Sequence, residues 1–202
     1  MNKEFYKNNR SKVLESIDDN SLLILFAGKA PKKTADEKYP FTPNRNFYYL
    51  TGIDEENHIL VLSKINGKTN EYLFIKEIDP IAEKWEGKTI RKEEVSQICM
   101  IEDVKYLGEF NNFIEKVVLN KEEINIYLDL EAGNTSYKYV NEIKHKYYNI
   151  NIKNAFKLIG NLRLIKTDEE VSRIRKAIDI TIEGVKELMR NSKSEIKEYE
   201  LE

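Results

Sequence analysis

The stretch Ile59-Leu60-Val61-Leu62-Ser63-Lys64-Ile65-Asn66-Gly67-Lys68-Thr69-Asn70-Glu71-Tyr72-Leu73-Phe74-Ile75 decides the fold class. Two apolar runs, residues 59–62 and 72–75, flank a polar segment that contains Asn66-Gly67. Asn and Gly tolerate the two positive φ angles that a type I′ turn requires. The pattern therefore predicts a β-hairpin, and with it an antiparallel pair of strands.

Other strands are predicted on both sides of this hairpin. Leu22-Leu23-Ile24-Leu25-Phe26 is a continuous apolar run that ends before Gly28, which is typical of a strand buried on both faces. Three more strands are predicted around residues 101–104, 124–128 and 150–152, and helical patterns alternate with them after an opening helix over residues 3–17. Alternation implies parallel crossovers, so we expect an α/β fold with a mixed, mostly parallel, twisted sheet and helices on both faces.

The pattern changes near residue 163. Thr167-Asp168-Glu169-Glu170 is a capping box, and an apolar stripe at spacings of three and four follows it on a helix of about six turns. Ser192 and Glu195 offer a second capping box, which predicts another helix that runs to the last residue. We therefore expect a complete domain over residues 1–162, and over residues 163–202 a linker and the first helices of a truncated second domain.

Composition excludes several classes of function. The 202 residues carry 33 Lys and Arg against 35 Asp and Glu, a net charge of −2, which gives no basic footprint for nucleic acid. No run approaches the roughly 18 apolar residues of a membrane span. Cys99 is the only cysteine and lies among apolar neighbours, as a buried small hydrophobe would. These features favour a soluble, cytoplasmic protein without nucleic-acid or membrane partners.

Catalytic and metal-binding motifs are sparse. His58 and His145 are the only imidazoles, and neither has a second nitrogen or sulfur ligand at zinc spacing. Asp129 and Glu131, at the end of a predicted strand, form the best local carboxylate pair for an all-oxygen site, although polar residues are also usual where a strand leaves a sheet. The sequence has no nucleophile elbow, no dinucleotide fingerprint and no P-loop. We expect no catalytic residue and no metal ligand in this chain.

The sole tryptophan, Trp85, is the remaining candidate site residue. It lies in Asp79-Pro80-Ile81-Ala82-Glu83-Lys84-Trp85-Glu86-Gly87, where Asp79 and Pro80 predict the start of a short helix and Gly87 its end. Two interpretations stay open for Trp85. It is either a partly buried core or capping residue, or an exposed anchor for a partner, since tryptophan is enriched at interface hot spots.

Read together, several passages resemble the creatinase/aminopeptidase P family. Pro43-Asn44-Arg45-Asn46-Phe47-Tyr48-Tyr49-Leu50-Thr51-Gly52-Ile53 resembles its "N-x-D/N-F-x-Y-L-T-G" stretch, and residues 79–87 resemble its "D-P-x-x-E-x-W-x-G" segment. Leu162-Arg163-Leu164-Ile165-Lys166-Thr167-Asp168-Glu169-Glu170-Val171 is similar to the "R-x-I-K-[ST]-x-E-E-[IV]" junction that opens the catalytic domain, and residues 195–202 resemble a helix start found shortly after it. The ordered set covers nearly the whole chain.

The resemblance implies the non-catalytic N-terminal domain of a Xaa-Pro aminopeptidase. Such a metallopeptidase releases the N-terminal residue of peptides with proline in second position. Two divalent ions, typically manganese, are held by two Asp, one His and two Glu of a catalytic domain, and all five would lie beyond residue 202. The N-terminal domain would serve oligomerisation, as a homodimer or homotetramer, and would shape the substrate entrance. Trp85 matches the tryptophan that reaches a neighbouring protomer's active site and binds substrate there.

Two departures from the family pattern leave the subfamily open. Lys88 stands where arginine is frequent, and Asn46 stands where aspartate is more usual. The alternatives are a Xaa-Pro dipeptidase, also called prolidase, or a catalytically inactive creatinase-like interaction module. A standalone α/β domain that binds a small molecule is the weakest reading, because it leaves the apolar stripe after residue 167 unexplained. The fragment alone is expected to be inactive.

Overall fold

The structure is a computed structural model that describes residues 1–131 and 136–201. The chain divides into two compact units, residues 1–162 and residues 163–202, and each is described by itself. The elements in chain order are α1 (Lys3–Ser16), β1 (Ser21–Phe26), α2 (Arg45–Thr51), β2 (Ile59–Ile65), β3 (Lys68–Ile75), α3 (Glu83–Glu86), α4 (Lys92–Cys99), β4 (Asp103–Tyr106), a 3-10 turn (Leu107–Glu109), α5 (Phe110–Leu119), β5 (Ile124–Leu128), α6 (Ser136–Lys146), β6 (Ile150–Asn154), α7 (Phe156–Leu164), α8 (Asp168–Asn191) and a last 3-10 turn (Glu198–Glu200).

A six-stranded mixed sheet forms the centre of the first unit, in the order β4-β3-β2-β1-β5-β6. The pairs β1–β2 and β2–β3 are antiparallel, whereas β3–β4, β1–β5 and β5–β6 are parallel. Ile24 of β1 lies opposite Val61 on one side and Leu128 on the other. The sequence-based prediction of a mixed, mostly parallel sheet is confirmed.

Alternate side chains of the sheet enter two separate cores, so both faces are covered by helices. Leu23 and Leu25 of β1 pack on one face, whereas Leu22 and Ile24 pack on the other. The first core is completed by α1, α2, α4 and α7, and the second by α5 and α6. This explains the unbroken apolar run of β1, because a strand covered on both faces needs apolar residues at every position.

The hairpin forms as predicted. Asn66 and Gly67 have φ angles of 51° and 72°, and they join β2 directly to β3. Asp19 supports the turn, because its carboxylate accepts a hydrogen bond of 2.9 Å from the Gly67 amide. The turn places the residues of β2 and β3 in the register that buries Leu60 and Leu73 opposite each other.

Helices α2, α4 and α7 were not anticipated from the sequence, and two boundaries were wrong. The predicted strand at residues 101–104 begins instead at Asp103 and ends at Tyr106. The predicted helix from Pro80 is a single turn that begins at Glu83. Asp79 does cap the chain there: its Oδ1 accepts from the amides of Ile81 (2.9 Å) and Ala82 (3.2 Å), and its carbonyl accepts from the Glu83 amide at 2.9 Å.

The second unit consists mainly of α8, whose capping box is confirmed. The Thr167 hydroxyl accepts from the Glu170 amide at 3.3 Å, and the Glu170 carboxylate accepts from the Thr167 amide at 2.8 Å. The apolar stripe is exposed along the whole helix. Its most regular members are Val171, Ile174, Ile178, Ile182, Val185 and Met189.

The second helix predicted in this unit does not form. Ser192 donates its hydroxyl back to the Leu188 carbonyl at 2.7 Å, and Glu195 has a φ angle of +73°. A positive φ at a residue other than glycine is incompatible with a continuing α-helix. In the described residues up to 201, a 3-10 turn at Glu198–Glu200 is the only helical element that follows, because a short helix without a packing partner is marginal in water.

Candidate functional site

Trp85 is the most exposed apolar feature of the α3 region. Its side chain is 87% exposed, and Ile81, four residues earlier, is 71% exposed. Among the described residues, the side chain of Trp85 is therefore exposed and is not packed into either core. Gly87 ends the helix with φ +93° and ψ 171°, a conformation open essentially to glycine alone.

An ion-pair network holds the segment around Trp85. Glu83 accepts two hydrogen bonds from the Arg91 guanidinium, at 2.7 and 2.8 Å, and a third from the Thr89 amide at 2.9 Å. The Arg91 guanidinium and the Thr89 amide hold the pKa of the Glu83 carboxyl below its usual value. Lys88 pairs with Glu94 at 2.5 Å. The Lys88 ammonium therefore contacts Glu94 as a single charge. The planar guanidinium that makes two parallel hydrogen bonds to a carboxylate belongs instead to Arg91.

A cleft of about 530 Å³ lies beside this segment, between the loop after β1 and residues 87–89. Four acidic side chains line it, Asp36, Asp54, Glu55 and Glu56, together with the lysines Lys38, Lys76 and Lys88. Glu56 is already engaged, because it accepts from Lys38 at 2.8 Å and from the Ala30 amide at 2.8 Å. The cleft is thus lined by charges of both signs and also by the aromatic side chains of Tyr39 and Phe41.

His58 is buried at the start of β2 and has a carboxylate neighbour. It is 1% exposed, and its Nε2 lies 3.5 Å from Glu55 Oε2, an ion-pair distance that is long for a hydrogen bond. Burial raises the pKa of Glu55, but His58 and the Ile90 amide outweigh that effect and lower it overall. His145 is exposed on α6. The two imidazoles thus occupy different environments, one buried and one in solvent.

The carboxylate pair proposed from sequence is separated by its partners. Asp129, just after β5, is 1% exposed and accepts from the side-chain amides of Asn44 and Asn46, each at 3.0 Å. Glu131 pairs instead with Arg45. Asn46 is fully buried, and with Asn44 it ties the start of α2 to the end of β5. The arrangement joins two elements of the fold: both amide donors contact Oδ2 of Asp129, while its buried Oδ1 accepts no hydrogen bond from the described residues.

Metal-binding geometry is missing from the described part of the chain. Within residues 1–131 and 136–201, no group of three or more His, Cys, Asp or Glu side chains could hold a metal ion. The residues described here therefore do not fit the two-ion site that the family resemblance implies. In the same ranges, no helix is both long and apolar enough to span a membrane.

Cys99 does not supply a nucleophile. The residue is buried at the end of α4, and burial raises the pKa of its thiol. A thiol with a raised pKa in apolar surroundings is inert, because the thiolate is the reactive form. The prediction of a buried small hydrophobe at this position is confirmed.

Comparison with known protein families identifies the domain. The model of the "Aminopeptidase P, N-terminal domain" family matches residues 6–127, which include all of the sheet from β1 to β4 and nearly all of β5. The chain belongs to this family. The resemblance stated from the sequence motifs is confirmed.

Relatives and solved structures agree with the family match. A Xaa-Pro aminopeptidase of Haemophilus influenzae is 25% identical over 206 residues, and human Xaa-Pro aminopeptidase 3 is 29% identical over 174 residues. These alignments cover 99% and 81% of this chain, but 46% and 34% of the relatives. A provisionally assigned aminopeptidase P from Bacillus anthracis is 38% identical, with a TM-score of 0.94 over 100% of this chain and 49% of that one.

Fold similarity extends to more distant structures. Aminopeptidase P from E. coli with the inhibitor Pro-Leu is 21% identical and has a TM-score of 0.87 over 100% of this chain and 47% of that one. The chain therefore spans about half the length of the proteins it matches.

Proposed function

We propose that this chain is the non-catalytic N-terminal domain of a Xaa-Pro aminopeptidase, followed at residues 163–202 by the opening of its catalytic domain. The observation that carries this proposal is the coverage: 99% of the chain aligns with 46% of the Haemophilus influenzae Xaa-Pro aminopeptidase. The exposed apolar stripe of α8 supports the second part, because such a stripe stabilises a helix only when another element covers it.

The proposed substrate of the longer enzyme is a peptide with proline in second position. The ligands for its divalent ions, which we take to be manganese, would come from residues beyond 202, since the described residues offer no such cluster. The role of this domain would be assembly of a homodimer or homotetramer and shaping of the substrate entrance. A cytoplasmic location fits the single, buried, reduced cysteine.

Trp85 is the residue that we assign to substrate binding, across the boundary to a neighbouring protomer. Its indole is 87% exposed and therefore free to contact another molecule. An indole offers a flat, rigid apolar surface with one N–H donor, and a prolyl ring or an apolar side chain can pack against it at low entropic cost. The short helix α3 would present it at the edge of the entrance.

The test compares the 202-residue chain with the longer protein that contains it. We expect the chain alone to release nothing from Xaa-Pro peptides, with or without manganese, and the longer protein to release the N-terminal residue in a metal-dependent way. Tripeptides and longer peptides should be cleaved, whereas cleavage of dipeptides only would indicate the prolidase alternative. Metal-dependent turnover by the 202-residue chain would overturn the non-catalytic assignment, and an inactive longer protein would favour the interaction module.

A further inference from the structure

The position of Trp85 cannot come from packing of its own side chain. The indole is 87% exposed, and the helix that carries it has four residues. A helix of one turn is far below the length that is stable alone in water. Some other contact must therefore fix the direction in which α3 presents the tryptophan.

Glu83, two residues before Trp85, accepts three hydrogen bonds through its carboxylate. Its two oxygens accept from Arg91 Nη1 and Nη2 at 2.7 and 2.8 Å, which is a bidentate pair, and Oε1 also accepts from the Thr89 amide at 2.9 Å. The side chains of Glu83 and Arg91 are only 17% and 27% exposed. A bidentate arginine–carboxylate pair fixes orientation as well as distance, which a single surface contact does not.

Arg91 connects this pair to the core of the domain. It directly precedes α4, whose side chains Val95 and Cys99 have no exposed surface. The Arg91 amide donates to the Glu94 carboxylate at 2.8 Å, so the residue is held at both its backbone and its side chain. The Glu83–Arg91 pair thus joins α3, which carries both Glu83 and Trp85, to the start of α4, whose side chains Val95 and Cys99 lie in the core.

We propose that Glu83 and Arg91 are a positioning pair that holds Trp85 in the orientation required to contact substrate in a neighbouring protomer. The inference rests on the proposed function for the role of Trp85, but the restraint itself is a property of this chain. It predicts that breaking the pair releases the α3 turn while the sheet and its two cores stay folded.

The restraint can be measured directly, because Trp85 is the only tryptophan among the 202 residues. Labelling the chain with 15N-tryptophan gives one backbone amide and one indole resonance. We expect the Trp85 amide to have an order parameter near that of rigid backbone, about 0.85, and to fall below about 0.6 in Glu83→Gln and in Arg91→Lys, which keeps the charge but loses the fork. Glu93→Gln, which changes an exposed carboxylate in the first turn of α4, is the matched control.

The two residues should behave as one unit. Glu83→Gln combined with Arg91→Gln is expected to lower the order parameter no further than either change alone, because each single change already removes the shared contact. If the two changes lowered the order parameter additively, Glu83 and Arg91 would not act as one pair. An order parameter in Glu83→Gln equal to that of wild type would also contradict the proposal. A wild-type chain that is already as mobile as the variant would overturn it as well.

Activity of the longer enzyme separates this inference from the proposed function. If both are right, Glu83→Gln lowers kcat/KM for a Xaa-Pro peptide by about 10-fold to 100-fold, as displacement of a positioned group does, and the melting temperature stays unchanged. A lowered order parameter with unchanged kcat/KM would mean that the pair positions Trp85 but that Trp85 does not bind substrate. An unchanged order parameter with lowered kcat/KM would mean instead that Glu83 and Arg91 do not act by positioning Trp85.

Discussion

The guanidinium of Arg10 has no exposed surface, and its nearest charged partner is the carboxylate of Glu71 at 2.9 Å. Two further hydrogen bonds, to the carbonyls of Leu50 (2.9 Å) and Cys99 (2.7 Å), occupy its remaining nitrogens. One side chain of α1 therefore holds the ends of α2 and α4 and the middle of β3 together. A buried charge is tolerable only when it is paired and hydrogen-bonded in this way.

Replacing Arg10 should destabilise the domain strongly. In Arg10→Met, the Glu71 carboxylate and two buried carbonyls lose their donor, so we expect the free energy of unfolding to fall by about 3–5 kcal/mol. Denaturant titration followed by circular dichroism measures this. Lys12→Met, an exposed change on the same helix, should stay within about 0.5 kcal/mol of wild type. Equal stability of the two variants would contradict this account of Arg10.

Gly52 should tolerate a methyl group much less well than Gly67 does. Both have left-handed backbones, with φ of +69° and +72°, but a Cβ at Gly52 would lie 2.3 Å from Tyr6 Cζ, whereas at Gly67 it would meet nothing within 4 Å. Gly67→Ala thus measures backbone strain alone, and Gly52→Ala measures strain plus overlap. We expect Gly52→Ala to cost about 1–3 kcal/mol more, from overpacking, in parallel unfolding titrations.

The contribution of Asp18 to stability should disappear in acid. Lys153 and the Tyr127 hydroxyl each contact its carboxylate at 2.6 Å, and these hydrogen bonds, with the Lys153 charge, hold the pKa of Asp18 below its usual value. A depressed folded-state pKa stabilises the fold above the unfolded value, near pH 4, and this is lost as the pH falls through the folded value.

Asp18→Asn provides the measurement of this pH dependence. Its melting temperature should lie below that of wild type at pH 7, and the difference should shrink as the pH falls below about 4, through the lowered pKa of the folded state. Glu122→Gln, which changes an exposed carboxylate far from the Lys153–Asp18 contact in sequence, is the comparison. A difference that persists or grows in acid would mean that the Asp18 contacts do not act through its ionisation.

Trp85 should matter for turnover and little for folding. In the longer enzyme, Trp85→Ala is expected to lower kcat/KM for Xaa-Pro peptides about 30-fold, the effect of losing a hot spot worth about 2 kcal/mol. Unfolding should change by less than about 0.5 kcal/mol, because the side chain is 87% exposed. Tyr148→Ala removes an aromatic residue that is fully exposed elsewhere, and it should leave both quantities unchanged. Misfolding with normal specific activity would make Trp85 structural.

Short sequence patterns predicted the structure correctly where a residue type favours one backbone geometry or one burial pattern. Asn66-Gly67 predicted the hairpin, and the apolar run over residues 22–26 predicted a doubly buried strand. Helix α2 escaped prediction because it consists largely of aromatic and β-branched residues with modest helix propensity. Burial of Phe47 and Leu50 stabilises it, and that depends on elements distant in sequence.

The candidate site could be predicted only in part, because its contacts also join residues that are distant in sequence. Trp85 was found because it is a lone tryptophan where core patterning does not require one. The partners of Glu83 could not be found, since Arg91 lies eight residues away across an irregular loop. The contact of Asp129 with Asn46 spans 83 residues. Only the folded chain brings such groups together.

The order of strands in the sheet sets the order in which the domain can assemble during synthesis. The half-sheet β4-β3-β2-β1 comes from the continuous stretch 21–106, and it can pair as soon as that stretch has left the ribosome. The other side of β1 must wait for β5, which begins at Ile124, 18 residues after β4 ends at Tyr106. During that interval an apolar strand has an open edge, which is the condition under which nascent chains aggregate or recruit chaperones.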